Sequence, residues 1–478
     1  MGFTSIIFLF YFLPLVILFH AAAPKKIRSL FFLASSYLFY LWGSPTGAVI
    51  LFASSIVDYL LAGSIGRTRR PGTKKLLLGL SVSINIIILI YFKYANFFIG
   101  EINGVLNLLN MAAIPWKDVI FPLGISFITF HKISYLTDIY YGTAKPAESF
   151  TAYALYLAMF PKLLQGPIMR YNTISGEIVS HAGTLDSMFQ GCIRFCVGLA
   201  KKVLIADALG HVVDAIFRLD SSSLTVGLSW IGVVFYSFQI YFDFTGYTDM
   251  AIGIGRMFGF TFTENFNRPY ISQTFTEYWR RWHITLGNWF REYLYIPLGG
   301  NRAGRFNTYR NLWIVFIVTG LWHGANWTFI IWGLFHGLFI FLDRIFWLKI
   351  TKRIPVALNI ALTYFLLLVG WVFFRSDTIG GALYYLGRMF DFTKINNMPT
   401  TIMPASIIGN REIFVVVLAA ILSFFPDSWF VQIKDAAAVR MSEGLITGLK
   451  AVSAAVLFVL SLVSIINSSF NPFIYFRF

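Results

Sequence analysis

Charge is what this sequence has least of. Asp, Glu, Lys and Arg together make up 13% of its 478 residues, about half the ~25% of an ordinary soluble domain. A water-soluble globule of this composition lacks the polar surface to cover its outside, so that class is excluded. Acidic residues are scarcer than basic ones, 22 against 38, and only two cysteines occur, Cys192 and Cys196. Four apart in an apolar run, the cysteines share a helix face as packing residues and are too few for a metal centre. No G-x-S-x-G turn is present, and Ser126 lies within the apolar FPLGISFITF, so serine catalysis lacks its usual setting. GIGRMFG (253–259) has neither a Walker lysine nor a preceding strand and reads as helix packing or a turn. There is no heptad or internal repeat, which excludes a solenoid and leaves an inverted-repeat transporter without visible support.

What is present is apolar: 57% hydrophobic and 18% aromatic residues, with a mean hydropathy of +0.69. Apolar stretches lie near 3–22, 29–44, 47–65, 76–98, 118–141, 151–165, 188–216, 225–245, 311–342, 355–375, 412–425 and 447–468. Full spans need about 20 residues, so the shorter stretches are expected to be interfacial, re-entrant or broken. The pattern predicts an all-α polytopic membrane protein of ten to twelve helices in one domain, 1–478. Stretch 3–22 is longer than a signal-peptide core of roughly 7–15 residues and is expected as a retained helix. Lys25, Lys26 and Arg28, then Arg67, Arg69, Arg70, Lys74 and Lys75, fall between apolar stretches. They are expected to place those loops in the cytoplasm, and the amino terminus outside if the turn at Gly43–Pro45 separates two true spans, which accounts for the net charge of +16 without nucleic acid.

The stretch 264–310 departs from this pattern by mixing Arg, Trp and Tyr with Gly, Pro and Asn. It suits a membrane interface or a protein-lined cavity, or else an amphipathic surface helix. Three histidines cluster from here on: His283, His323 and His336. On one continuous helix over 320–337, His323 and His336 would point about 220° apart, against a shared metal. His336 reads as a packing histidine. His323 is walled by Trp322, Gly324, Asn326 and Trp327; a neutral imidazole there can take a proton from a hydroxyl attacking an acyl carbon, although packing accounts for it equally well. Asp243 and Asp249, about 240° apart on a helix, suit an arginine anchor or a histidine orienter.

Long ordered motifs carry a family resemblance: FPLGISFITFHKISYLTDIYYG (121–142), FPKLLQGPIMRY (160–171), GLAKKVLIADAL (198–209), YFDFTGYTDMAIGIGRMFGF (241–260), NFNRPY (265–270), EYWRRWHITLGNWFREYLYIPLGGNR (277–302) and LWHGANWTFIIWGLFHG (321–337). The chain resembles the membrane-bound O-acyltransferase family, in its alginate O-acetyltransferase branch. The resemblance implies about 11 transmembrane helices with re-entrant or interfacial helices around a central tunnel, in a bacterial inner membrane. It makes His323 the catalytic base and His283 the second, more variable position. Arg280, Arg281, Trp282, Asn288 and Trp289 would line or brace that region, with Trp322, Asn326, Trp327 and Asp243 as further support. It implies no bound cofactor or metal, with acetyl-CoA or another acyl thioester as co-substrate. An Arg or a backbone amide would stabilise the developing oxyanion. The acceptor would be an exported polysaccharide, reached directly or through an extracytoplasmic SGNH-type partner or other polysaccharide assembly proteins. YIPLGGNR and the chain length favour this branch over transfer of D-alanine to teichoic acid, while His131 stands where many relatives carry glutamine. A multispan transporter or a membrane scaffold also accommodates the composition, and either is expected to work without acyl transfer.

Overall fold

The computed structural model describes residues 2–181, 183–220, 223–302, 304–392, 408–425 and 441–467, with the isolated positions 432, 435 and 473. Every regular element among them is helical. Five of these helices are long and apolar enough to cross a bilayer: Pro45–Arg67, Pro71–Leu108, Trp327–Arg353, Val356–Arg375 and Glu443–Asn467. Other apolar stretches are shorter as helices because local chemistry breaks them. The first becomes a π-helical turn, Phe8–Phe12, and a ten-residue helix, Leu13–Ala22, with Pro14 in its first turn. Stretch 118–141 turns helical only at Ile125, after Gly124 at φ +76°. Stretch 151–165 divides into Phe150–Ala158 and Phe160–Leu163, Pro161 opening the second helix where its missing N–H costs no hydrogen bond. Residue 468, at the end of the last predicted stretch, lies outside the described residues.

The chain packs as two compact units. The first comprises Met1–Gly191, Ala251–Thr263 and Trp289–Tyr293. Its spanning helices are joined by a buried polar cluster. Lys132 Nζ lies 3.0 Å from Asp58 Oδ2, both side chains being almost wholly buried. Asp58 Oδ1 accepts a 2.8 Å bond from Asn85 Nδ2, and Lys132 also donates to Ser54 Oγ at 2.5 Å. Helices Pro45–Arg67, Pro71–Leu108 and Ile125–Tyr141 thus meet at one neutralised pair, the form in which membrane interiors tolerate charge. Pro71–Leu108 runs unbroken for 38 residues. The chain after it folds back along its last turns: Asn103 holds both the N–H and the C=O of Ile114, and Asn96 holds those of Val119 as well as the Trp116 indole N–H.

The second unit comprises Cys192–Met250, Glu264–Asn288 and Leu294–Phe478. Its core is aromatic, with Trp282, Trp332 and Trp371 each 1% exposed. Two glycine contacts set its helix spacing. A Cβ on Gly198 would lie 2.6 Å from Gly246 O, and one on Gly333 would lie 2.4 Å from Phe316 O. The second contact clamps Gly304–His323 against Trp327–Leu342 at the distance small residues permit. Gly333→Ala puts a methyl against backbone that cannot rotate away, so a loss of about 1–3 kcal/mol is expected. The thermal midpoint of the detergent-solubilised protein checks it; an unchanged midpoint would contradict the clamp.

Candidate active site

His323 is the last residue of helix Gly304–His323, and the chain then leaves helical geometry over Gly324–Asn326. The premise of one continuous helix over 320–337 is therefore wrong. A Cβ at Gly324 would come within 2.2 Å of the Phe329 ring, so the turn needs glycine there. Asn326 then starts the next helix, its side chain accepting from Thr328 N and donating to Asp377 O at 2.7 Å. This is a capping role.

The His323 ring is 4% exposed and is boxed by Trp322, Trp332 and Phe374, with ring centroids 4.9, 4.8 and 5.1 Å away. Trp332 lies on the helix that follows the break, and His336, four residues on along that same helix, has its ring 4.5 Å from it. His336 Nδ1 accepts from Trp279 Nε1 at 3.2 Å, which commits that nitrogen to packing. Trp322 also faces His283, 6.2 Å away, and so forms a wall common to His283 and His323.

His283 sits between the short helices Phe275–Arg281 and Ile284–Phe290, wholly buried and at φ +44°. Left-handed backbone is strained for a non-glycine residue and persists only where the surroundings over-determine it. Two backbone bonds do so here: Asn267 N to Arg281 O and Ile284 N to Asn265 O, each 2.9 Å. Burial alone pushes the His283 imidazole down to about 3, so it is neutral at any physiological pH.

Among the other residues singled out from the sequence, Trp282 packs beneath His283 on Tyr278 and Trp371. Arg281 turns to Glu277 and to Asn267 O. Arg280 is exposed and Asn288 half-buried. Trp327 is 49% exposed. Trp289 belongs to the first unit, where its indole donates to Phe130 O. Asp243 binds Lys202 Nζ at 2.7 Å rather than a histidine. Asp249 is an anchor: it holds Arg194 at 2.8 Å and Lys201 at 2.6 Å.

The sequence reading missed a cavity of about 310 Å³ in the second unit, lined by Arg194, Lys201, Thr245, Asp249, Glu264 and Asn265 among others. It also missed Asn265 itself, whose Oδ1 lies 3.1 Å from His283 Nδ1. The 17 residues between them carry no periodic signal that would have paired them.

Helices long and apolar enough to cross a bilayer, buried histidines packed among tryptophans, and a charged cavity lined by the asparagine that meets one of them suit an enzyme that works within a membrane. The chain belongs to the membrane-bound O-acyltransferase family, whose sequence profile matches residues 147–374, and it is an O-acyltransferase drawing on an acyl donor as co-substrate. It is 37% identical, over the full length of both chains, to the probable alginate O-acetylase AlgI of Pseudomonas putida KT2440. It is 36% identical to the peptidoglycan O-acetyltransferase of Helicobacter pylori 26695 over 81% of this chain and 79% of that one. With the teichoic acid D-alanyltransferase of Bacillus subtilis 168 it shares 27% identity over 55% of this chain and 70% of the other.

Proposed function

We propose that this protein moves an acetyl group from a cytoplasmic thioester, acetyl-CoA or a carrier-bound equivalent, to a hydroxyl destined for an exported polysaccharide such as alginate. It does so as a multi-pass protein of the bacterial inner membrane. The observation that carries this reading is His323, a buried imidazole held at a helix end inside an aromatic box. The full-length likeness to alginate O-acetylases supports the acetyl group and the polymer.

His323 takes the proton from the attacking hydroxyl as its oxygen bonds to the thioester carbonyl carbon. The tetrahedral oxyanion then collapses, expelling the thiolate, which leaves as the thiol once protonated. Trp322, Trp332 and Phe374 exclude water that would otherwise hydrolyse the thioester. The immediate acceptor is a serine of an extracytoplasmic SGNH-type partner, which passes the acetyl group on to the polymer.

The test is ester content after deletion of the protein from its host, followed by complementation. Loss of O-acetyl esters from the exported polymer, restored on complementation, supports the reading. Loss of peptidoglycan O-acetyl or teichoic D-alanyl esters instead moves it to another acceptor. Unchanged esters with blocked polymer export would overturn it in favour of transport.

A further inference from the structure

Asn265 is 1% exposed and lines the charged cavity. Its amide orientation is settled by chemistry. Oδ1 receives the backbone N–H of Thr285 at 3.2 Å and the Thr285 hydroxyl at 2.9 Å, and a backbone N–H can only donate. The third group on that oxygen, His283 Nδ1 at 3.1 Å, must therefore carry its proton. A neutral imidazole protonated at Nδ1 keeps its lone pair on Nε2. Asn265 Nδ2, facing away from these three donors, has no hydrogen-bond partner among the described residues. A buried amide N–H without a partner keeps its desolvation cost, which an acceptor supplied by a bound ligand would relieve.

We propose that Asn265 is a positioning residue that couples the cavity to His283: Oδ1 locks the histidine in the Nδ1–H tautomer, and Nδ2 donates to an oxygen of the acyl donor bound in the cavity. The proposal rests on the acyl-transfer reading given above. In it His283 serves as a hydrogen-bond acceptor through Nε2, while His323 is the group that takes the proton. The surroundings of His283 favour this division. The rings facing it are Phe244, Phe266 and Trp322; of the charged groups close to it in the chain Arg281 binds Glu277 and Arg280 is exposed, and of those lining the cavity Arg194 binds Asp249 and Glu264 and Lys201 binds Asp249.

The experiment is ¹⁵N spectroscopy of histidine-labelled full-length protein in lipid nanodiscs, with His283 assigned from the signal lost in His283→Gln. In the wild type, His283 is expected as the neutral Nδ1–H tautomer and unresponsive from about pH 5 to about pH 8, because burial keeps it neutral. Asn265→Asp keeps the acceptor oxygen but adds a negative charge, which favours the imidazolium. That raises the histidine's pKa, so the signal should titrate inside the window. Asn265→Ala should release the tautomer into a mixture. His20, His131 and His336 signals that stay in place show that each variant is folded. An Nε2–H tautomer in the wild type, or an Asn265→Asp spectrum identical to the wild type, overturns the proposal. In cells, polymer O-acetyl content should fall at least about tenfold with Asn265→Ala and less with Asn265→Asp. A His323→Ala control separates the two ideas. If it leaves acetylation intact, the acyl-transfer reading fails whatever the spectra show; if it abolishes acetylation while Asn265→Ala does not lower it, only the coupling fails.

Discussion

His323→Gln is expected to lower acyl transfer per folded molecule by about 10²- to 10⁴-fold, the usual contribution of a positioned general base. Glutamine approximates the size of histidine and still hydrogen-bonds, so the aromatic box around position 323 should hold. What it cannot do is accept a proton near neutral pH. The residual rate then reports positioning and exclusion of water, and KM for the donor should change little, since the base acts as the transition state forms. The measurement is O-acetyl content at matched membrane abundance, with thermal unfolding as a fold control. Full acetylation by the glutamine variant would remove His323 from the chemistry and return it to packing beside His336.

The second large effect concerns stability. Asp58→Ala leaves the Lys132 ammonium, 2% exposed, with the Ser54 hydroxyl but without its counter-charge. Removing one member of a buried ion pair strands the other charge and costs about 3–5 kcal/mol. Lys132→Met is milder, because Asn85 still donates to Asp58. The double variant Asp58→Leu with Lys132→Met removes both charges and should recover most of the loss. Unfolding midpoints of the three variants in one detergent decide the matter. If the double variant loses the sum of the two singles, the pair does not act as a neutralising unit.

The sequence made much of this legible, for reasons that can be named. Apolar stretches flanked by basic clusters announced the spanning helices, because a bilayer enforces both features. His323 stood out because its neighbours are apolar. The break after it was written in the sequence but read through: Gly324, Ala325 and Asn326 before Thr328 form a stop followed by a cap, and the expectation of one helix over 320–337 gave periodicity more weight than punctuation. That choice separated His323 from His336, which in fact share Trp332. Asn265 was not legible. Its partnership with His283 arises where two irregular segments are held side by side by backbone bonds, and neither helical nor strand periodicity encodes that. Asp243 could be seen as an anchor or an orienter but not decided, since its partner Lys202 sits 41 positions away by count on another helix.

Helix Pro71–Leu108, described above for its length, is longer than a bilayer requires. Its 38 residues rise about 57 Å, while the hydrocarbon core is about 30 Å thick. Arg67, Arg69 and Arg70 cluster just before its near end, and its last turns are stiffened by the segment that Asn96 and Asn103 bind to it. Pivoted where Asn85 meets Asp58, ~35 Å from its tip, a change of about 10° in the tilt of this helix would sweep the tip through about 6 Å. A small repacking around Asp58 and Lys132, at that contact, would thereby be carried to the far end of the helix.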